Sequence, residues 1–471
     1  MNQKYKNLTQ NTMLFAISSF GTKILSFLLI PLYTNILSTN EYGIADILST
    51  TTTLLIIVFT INIADGIVVF GLDKKNNPKE ILSCGLRIFF CGWMMLLCGL
   101  VVLNLMNRLN WPFYYFVFIF VYFGVSAFYQ IMCNYLRAID CVREVAMAGL
   151  ISSATYIIAN IVFLLIVRIG LYGYLIATIV GPAIGGVYTI VKSRISFKIF
   201  YYKCNEGTKR ELIKYCFPLI FNGIALWINS CLDRYFVIGM CGTAQNGIYS
   251  VANKIPIILS MFYTVFSQAW TLSAIKEFDS QDKDGFFADT YEAYNTFMIL
   301  VCSGLILFNI PIAKLIYARD FFVAWEYSSV LLLATLFNSL TAFVGSIYSA
   351  IKKSNILAIT TGISAVVNTM LNVLLIPIFG VQGAAIATAV AMIAVWLIRI
   401  VFIKTIINID INLQLHACCY VLICIQLLLE HTSNHGYIAQ TAIVFLLLIL
   451  NKRQLNKICK VLQKSIIKNR R

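Results

Sequence analysis

The sequence predicts an all-α integral membrane protein of about fourteen transmembrane helices. Three observations carry that prediction. Of 471 residues, 60% are apolar and only 12% charged, with a mean hydropathy of +0.83, whereas soluble domains hold roughly 45–50% apolar and about 25% charged residues. The apolar runs are long and continuous rather than alternating, so helices, not barrel strands, must satisfy the backbone groups that lipid cannot solvate. The connections between the runs alternate in charge.

In chain order the runs fall near 12–34, 42–66, 84–106, 112–136, 145–167, 171–191, 215–238, 247–270, 290–310, 326–350, 355–378, 382–403, 412–429 and 436–451. Lys4 and Lys6 precede the first run, which has no small-residue cleavage site and reads as a span rather than a signal peptide. With the N-terminus cytoplasmic, 27 of the 36 Lys and Arg lie in cytoplasmic segments, four outside (Arg108, Arg168, Lys314, Arg319) and five within spans (Lys23, Arg87, Arg234, Lys254, Arg399). That bias follows the positive-inside rule, puts both termini in the cytoplasm, and assigns the +16 net charge to one membrane face rather than to nucleic acid.

The chain also repeats itself. Gly170, Gly173, Ile176, Ala177 and Thr178 recur as Gly380, Gly383, Ile386, Ala387 and Thr388, a shift of 210 residues. Ser152, Tyr156 and Asn160 correspond to Ser364, Asn368 and Asn372 at a shift of 212, and Thr39, Gly43 and Ile44 to Thr243, Gly247 and Ile248 at 204. Six spans separate paired blocks, an even number, so the halves keep one orientation. The expected organisation is two parallel-related six-helix lobes, residues 1–204 and 205–406, followed by 407–471 with two extra helices and a basic cytoplasmic tail.

Ionisable and amide side chains within spans are costly and usually face a cavity or a partner. Span one carries Lys23 between Ser19 and Ser26; span two ends in Asn62 and Asp65; span seven holds Asn222, Asn229, Asp233 and Arg234; span eight holds Asn253 and Lys254. Spans five and eleven carry the stripes Ser152/Tyr156/Asn160 and Thr361/Ser364/Asn368/Asn372. The stripes fit either a wet central cavity or interhelical hydrogen bonding. Lys23, Arg234 and Lys254, with Arg87 behind them, would make such a cavity suited to a phosphate group. The alternative for Arg234 is an ion pair with a carboxylate of another span, and Asp65 could pair with Lys23. Arg87 and Arg399 lie near span ends, where snorkelling to the interface would serve them. Pro31, Pro218, Pro256 and Pro377 mark kinks.

Little else suggests chemistry. Cys84, Cys91 and Cys98 share one helix face and read as packing; the three histidines (His416, His431, His435) cluster near the C-terminus, so no metal or cofactor site is expected. Asp282-Lys283-Asp284 has a D-x-D form but reads as a solvated acidic loop, and no phosphate-binding glycine loop is present. An enzyme is therefore not expected.

The stretch F-G-T-K-I-L-S-F-L-L-I-P-L-Y followed by I-L-S-T-N-E-Y-G-I-A-D, and later Y-C-F-P-L-I-F-N-G, C-L-D-R-Y-F-V-I-G and N-G-I-Y-S-V-A-N-K-I, resembles the polysaccharide exporters of the multidrug/oligosaccharidyl-lipid/polysaccharide (MOP) superfamily. Within it the chain is most similar to O-antigen-type repeat-unit flippases. That resemblance implies a MATE-like fold in the bacterial inner membrane. It implies alternating access around a cationic cavity, and a substrate of undecaprenyl-diphosphate-linked oligosaccharide, the O-antigen, exopolysaccharide or capsule repeat unit. It further implies a diphosphate near Lys23, Arg234 and Lys254, membrane lipids around the protein, and a glycan polymerase and chain-length proteins as partners. An ion-coupled drug exporter of the same superfamily would favour acidic cavity residues; here five Lys/Arg stand against Asp65, Asp233 and Asp46. A major-facilitator transporter lacks support because the loop after span two reads G-L-D-K-K-N-N-P-K-E, and a membrane glycan polymerase would carry a large periplasmic loop.

Overall fold

The computed structural model describes residues 21, 27–73, 75–106, 111–195, 199, 202, 205–276, 282, 285–351, 353–407, 409, 411–430 and 436–457. The described residues form helices and no strand. The helices are α1 (Ile30–Ile36), α2 (Thr39–Phe59), α3 (Ile63–Leu72), α4 (Pro78–Leu105), α5 (Phe113–Ala138), α6 (Val142–Ile161), α7 (Gly170–Ser193), α8 (Glu206–Cys241), α9 (Thr243–Ala252), α10 (Lys254–Lys276), α11 (Phe286–Leu307), α12 (Asn309–Ile316), α13 (Trp325–Ala350), α14 (Ser354–Phe379), α15 (Val381–Lys404), α16 (Leu413–Leu429) and α17 (Gly436–Leu450).

Ten segments among the described residues are long and apolar enough to cross a membrane, or eleven if α11 and α12, bent by 60° at Phe308, are one span. Of the remaining predicted spans, the first lies largely outside the described residues, while α16 and α17 have 17 and 15 residues, below the roughly 20 that a perpendicular crossing needs. Predicted span two is broken: Ile61 and Asn62 have φ of 56° and 51°, left-handed values that end α2 and redirect the chain into α3. Helix starts follow local chemistry. Ser38 and Glu41 form a reciprocal capping box on α2, with Glu41 N–H donating to Ser38 Oγ at 3.2 Å and Ser38 N–H to the Glu41 carboxylate at 2.9 Å. Asn77 accepts from the Lys79 amide ahead of α4, with Pro78 at the first helical position. Asp282, read as part of a solvated loop, instead turns its carboxylate onto the amides of Phe287 and Ala288, each at 3.0 Å, and caps α11.

The chain divides into two compact units, residues 1–238 with 242–247, and 239–241 with 248–471. In the first, α5 is the central post: α2, α3, α4, α6 and α7 pack against it, and α6 pairs with α7. Its core runs through Ile63, Ile67, Ile81, Phe89, Ile119 and Phe123, with Trp93 stacked on Phe89 at 5.6 Å and donating its indole N–H to the Phe120 carbonyl at 3.0 Å.

Glycines allow a close approach where α2 meets the first turn of α9. A Cβ on Gly43 would overlap the Thr243 carbonyl and lie 3.0 Å from the Gly247 nitrogen. A Cβ on Gly247 would overlap the Thr39 carbonyl and lie 3.1 Å from the Gly43 nitrogen. Gly43 and Gly247 occupy matching positions of the sequence repeat, and the contact is reciprocal: each glycine lies on the carbonyl four residues before the other.

In the second unit α13 packs on α10, α11 and α15, and α15 on α14. Trp270 stacks on Phe343 at 4.2 Å, and Trp396 donates to the Tyr291 hydroxyl at 3.0 Å. Polar bonds tie α16 to α11: Ser303 Oγ donates to Gln426 Oε1 at 2.7 Å, Gln426 Nε2 to the Ser303 carbonyl at 2.9 Å, and Tyr420 to Asn295 at 2.8 Å. At the α11–α12 bend, buried Glu430 accepts from Asn309 Nδ2 at 2.7 Å and from Ser329 Oγ.

Candidate functional site

The first unit contains a cavity of about 460 Å³ lined by α2, α5, α6 and α7. α2 contributes Ser49 and Thr53, α5 Tyr122, Ser126, Tyr129 and Gln130, α6 Ser152, Ser153 and Tyr156, and α7 Tyr174 and Thr178; Ile56 and Pro182 complete the wall. Among the described residues the lining is thus hydroxyls and an amide mounted on aromatic and small side chains, with no Lys, Arg, Asp or Glu. At one end Tyr33 donates to the Tyr156 hydroxyl at 2.9 Å and stands edge-on to Tyr174 at 5.0 Å. Such a surface offers paired donors and acceptors plus flat apolar faces, the combination that binds neutral polyols.

Beside it on α2 lies a charged cluster. Arg234 of α8 pairs with Asp46 of α2, Nε to Oδ2 at 3.2 Å, the side chains being 18% and 15% exposed. Asn246 of α9, fully buried, donates to the Gly43 carbonyl at 3.1 Å and reaches Asp46 Oδ2 at 3.4 Å. α8 is held along the same face by Trp227 donating to the Thr50 carbonyl at 3.1 Å and by the 2.7 Å hydrogen bond between the Thr51 and Tyr235 hydroxyls. The Arg234 guanidinium also reaches Cys231 Sγ at 3.8 Å, so carboxylate and thiol both face it.

The other sequence-derived candidates are dispersed. Lys23 lies outside the described residues. Lys254 is the first residue of α10, half-buried and engaged with neighbours. Asp65 is exposed in the first turn of α3 and accepts from Asn62 Nδ2 at 2.8 Å. Asn222 is exposed on α8; Asn229 donates to the Ala225 carbonyl at 2.9 Å; Asp233 is buried. Ser152 and Tyr156 line the cavity, whereas Asn160 is fully buried and donates back to the Tyr156 carbonyl at 2.8 Å. In the second unit Asn368 donates to Thr388 at 3.3 Å, and Asn372 to the Asn368 carbonyl at 2.9 Å, a buried link between α14 and α15. Arg87 is exposed and donates to the Tyr202 carbonyl at 3.3 Å.

Arg399 departs from the snorkelling expectation. It is 7% exposed and bonds Thr360 Oγ1 at 2.9 Å, the Thr341 carbonyl at 3.0 Å and Thr361 Oγ1 at 3.2 Å, joining α13, α14 and α15. Three helices converge on it, so the neighbouring oxygens, rather than interfacial water, solvate the charge. The α5 side of the cavity went unread in the sequence although its signal is present: Tyr122, Ser126, Tyr129 and Gln130 recur every three or four residues on one face of an otherwise apolar helix.

Solved structures define the class. The lipid II flippase MurJ, in an inward closed conformation, matches with a TM-score of 0.68 over 95% of this chain and 100% of its own, at 17% identity. An inward-facing multidrug resistance MATE family transporter of the MOP superfamily matches with a TM-score of 0.62 over 82% of this chain and 98% of its own, at 12% identity. The protein is a multi-pass membrane protein with a MATE- and MurJ-like fold. Residues 8–271, more than half of the sequence, match the polysaccharide biosynthesis protein family, and the chain belongs to that family. Among characterised relatives, "Probable low-salt glycan biosynthesis flippase Agl15" of Haloferax volcanii is 26% identical over 188 residues, a stretch covering 39% of each chain, so the likeness spans about two fifths of that relative.

Proposed function

We propose that the protein is a flippase that moves a polyprenyl-diphosphate-linked oligosaccharide across the cytoplasmic membrane by alternating access. The glycan would be an undecaprenyl-linked O-antigen, exopolysaccharide or capsule repeat unit, passed on to a polymerase and chain-length proteins. The observation that carries the reading is the hydroxyl- and aromatic-lined cavity between α2, α5, α6 and α7. Membership of the polysaccharide biosynthesis protein family supports it, as do the names of the Haloferax relative and of MurJ, the former a glycan flippase and the latter a lipid II flippase.

In this reading the cavity holds sugar hydroxyls and Arg234 meets the diphosphate. Arg234 exchanges one acceptor for another: a phosphate oxygen takes the place of the Asp46 carboxylate at 3.2 Å, which leaves Asp46 with Asn246. Such an exchange removes the ionic tie between α8 and α2 when substrate is aboard, while the Trp227–Thr50 and Tyr235–Thr51 hydrogen bonds stay in place. No covalent bond changes, so the protein works as a transporter rather than an enzyme.

The test is reconstitution of the purified protein in vesicles loaded with lipid-linked oligosaccharide, with externally added lectin reading the glycan that crosses. Ser153→Trp fills the cavity without touching a charge and should abolish crossing while the protein still melts as the native one does. Native-rate crossing by this variant would overturn the assignment.

A further inference from the structure

A second concavity in the first unit has the opposite chemistry. A groove of about 610 Å³ runs between the end of α2, the middle of α4 and the start of α8. Its body is apolar, with Ile88 and Met95 of α4 facing Phe217 and Ile220 of α8, and its mouth carries Arg87 and Lys209. An adjoining hollow of about 900 Å³ shares Glu206, Lys209 and Phe217 with it and adds Arg210 and Lys214. Among the described residues Glu206 is the one acid on either lining, and it already lies 3.8 Å from Lys209. The described mouth therefore carries four cations against one carboxylate.

α8 explains this polarity. Its first turns carry Glu206, Lys209, Arg210, Glu211 and Lys214, and after Lys214 the next charged residue is Asp233. The change at Tyr215 is what a helix entering hydrocarbon shows, so the cations stand at headgroup depth and the groove continues from there toward the bilayer centre. Phe217 and Met95 are 56% and 65% exposed, so the body opens sideways toward lipid.

We infer that this groove is a binding site for an anionic phospholipid, its phosphate at Arg87, Lys209, Arg210 and Lys214 and an acyl chain along Ile88, Met95, Phe217 and Ile220. Charge complementarity selects an anionic headgroup. The apolar body excludes a free phosphate as the intended ligand, because it would go unused. The lining also selects against the glycan-bearing carrier: among the described residues no Ser, Thr, Tyr, Asn or Gln lines either hollow, whereas the cavity on the other side of α2 is made of little else. The site is separate from the transport reading and stands without it. The Lys/Arg bias places it on the cytoplasmic leaflet.

The experiment is native mass spectrometry of the full-length protein in detergent, titrated with phosphatidylglycerol or phosphatidylcholine of equal chain length. A Lys or Arg at an anionic lipid surface is worth about a fivefold change in binding, so Arg210→Gln with Lys214→Gln should weaken phosphatidylglycerol retention about thirtyfold and leave phosphatidylcholine retention unchanged. Met95→Trp should block the groove and reduce phosphatidylglycerol retention with every cation in place and the melting temperature unchanged, which separates loss of the site from loss of the fold. Equal retention of the two lipids by the native protein would overturn the site, as would indifference to both variants. Displacement by glycerol phosphate as effective as by the whole lipid would reduce it to a headgroup patch. Preferential displacement by undecaprenyl phosphate would assign the groove to the transported carrier instead.

Discussion

Substituting Gly43 by Ala gives the sharpest test of the helix packing in the first unit. The added methyl would sit on the Thr243 carbonyl oxygen and within 3.0 Å of the Gly247 nitrogen. Both are backbone atoms in the first turn of α9, so no rotamer change relieves the overlap, and the helices must part. Overpacking of this kind costs about 1–3 kcal/mol, and separation also forfeits dispersion contacts over the neighbouring turns. Helix propensity works in the opposite direction, since Ala is favoured over Gly by about 1 kcal/mol in a helix interior, so a net loss of about 1–2 kcal/mol is expected. For a chain of this size that corresponds to a fall in Tm of roughly 1–2 °C. Gly247→Ala meets the Thr39 carbonyl in the same way and should cost about as much. The double variant should cost less than the two together, because one parting of α2 from α9 relieves both overlaps. Gly99→Ala in α4, where an added Cβ meets nothing within 4 Å, is the control and should leave Tm unchanged or slightly raised. The assay is thermal unfolding in one detergent, followed by tryptophan fluorescence. Unchanged Tm in both Gly43→Ala and Gly247→Ala would refute the close reciprocal contact, and strict additivity would refute its being a single contact.

Two further outcomes follow from buried charge. Arg399→Lys keeps the charge but cannot span three oxygens on two neighbouring helices; with charge-assisted hydrogen bonds at about 1.5–3 kcal/mol each, a destabilisation of about 2–4 kcal/mol is expected in the same melting assay, and a native Tm would show that the guanidinium geometry is not used. For Asp46 and Arg234, Asp46→Asn and Arg234→Gln should each destabilise while the double variant recovers part of the loss. The coupling should be about 1 kcal/mol, limited by the 18% and 15% exposure of the pair; zero coupling would mean that the two side chains do not interact.

The helices were legible in the sequence because hydrocarbon imposes a single demand on the backbone, and hydropathy reads that demand directly. What escaped it were places where polar chemistry sets a helix end. α8 begins at Glu206 rather than near 215, because its first turns are charged and interfacial and a hydropathy window sees them as loop. The breaks at Ile61–Asn62 and at Phe308 divide runs that are apolar throughout; backbone dihedrals and the Asn309–Glu430 hydrogen bond mark them, not composition. For the candidate site, the Ser152/Tyr156 side of the cavity was readable as a polar stripe, and so, in principle, was the α5 face. The Asp46–Arg234 pair was not, since it joins residues 188 positions apart and span counting does not say which carboxylate a guanidinium meets. Arg399 was misjudged for a related reason: nearness to a helix end in sequence says nothing about whether two other helices cover that end.

The reciprocal glycine contact is self-complementary: Gly43 lies on the Thr243 carbonyl as Gly247 lies on the Thr39 carbonyl. Such a contact constrains only the residues whose backbones touch, and the side chains beside it are free to differ. The next repeat position shows such a difference, Asp46 in one copy and Ser250 in the other: the steric lock is symmetric while the charge beside it is one-sided.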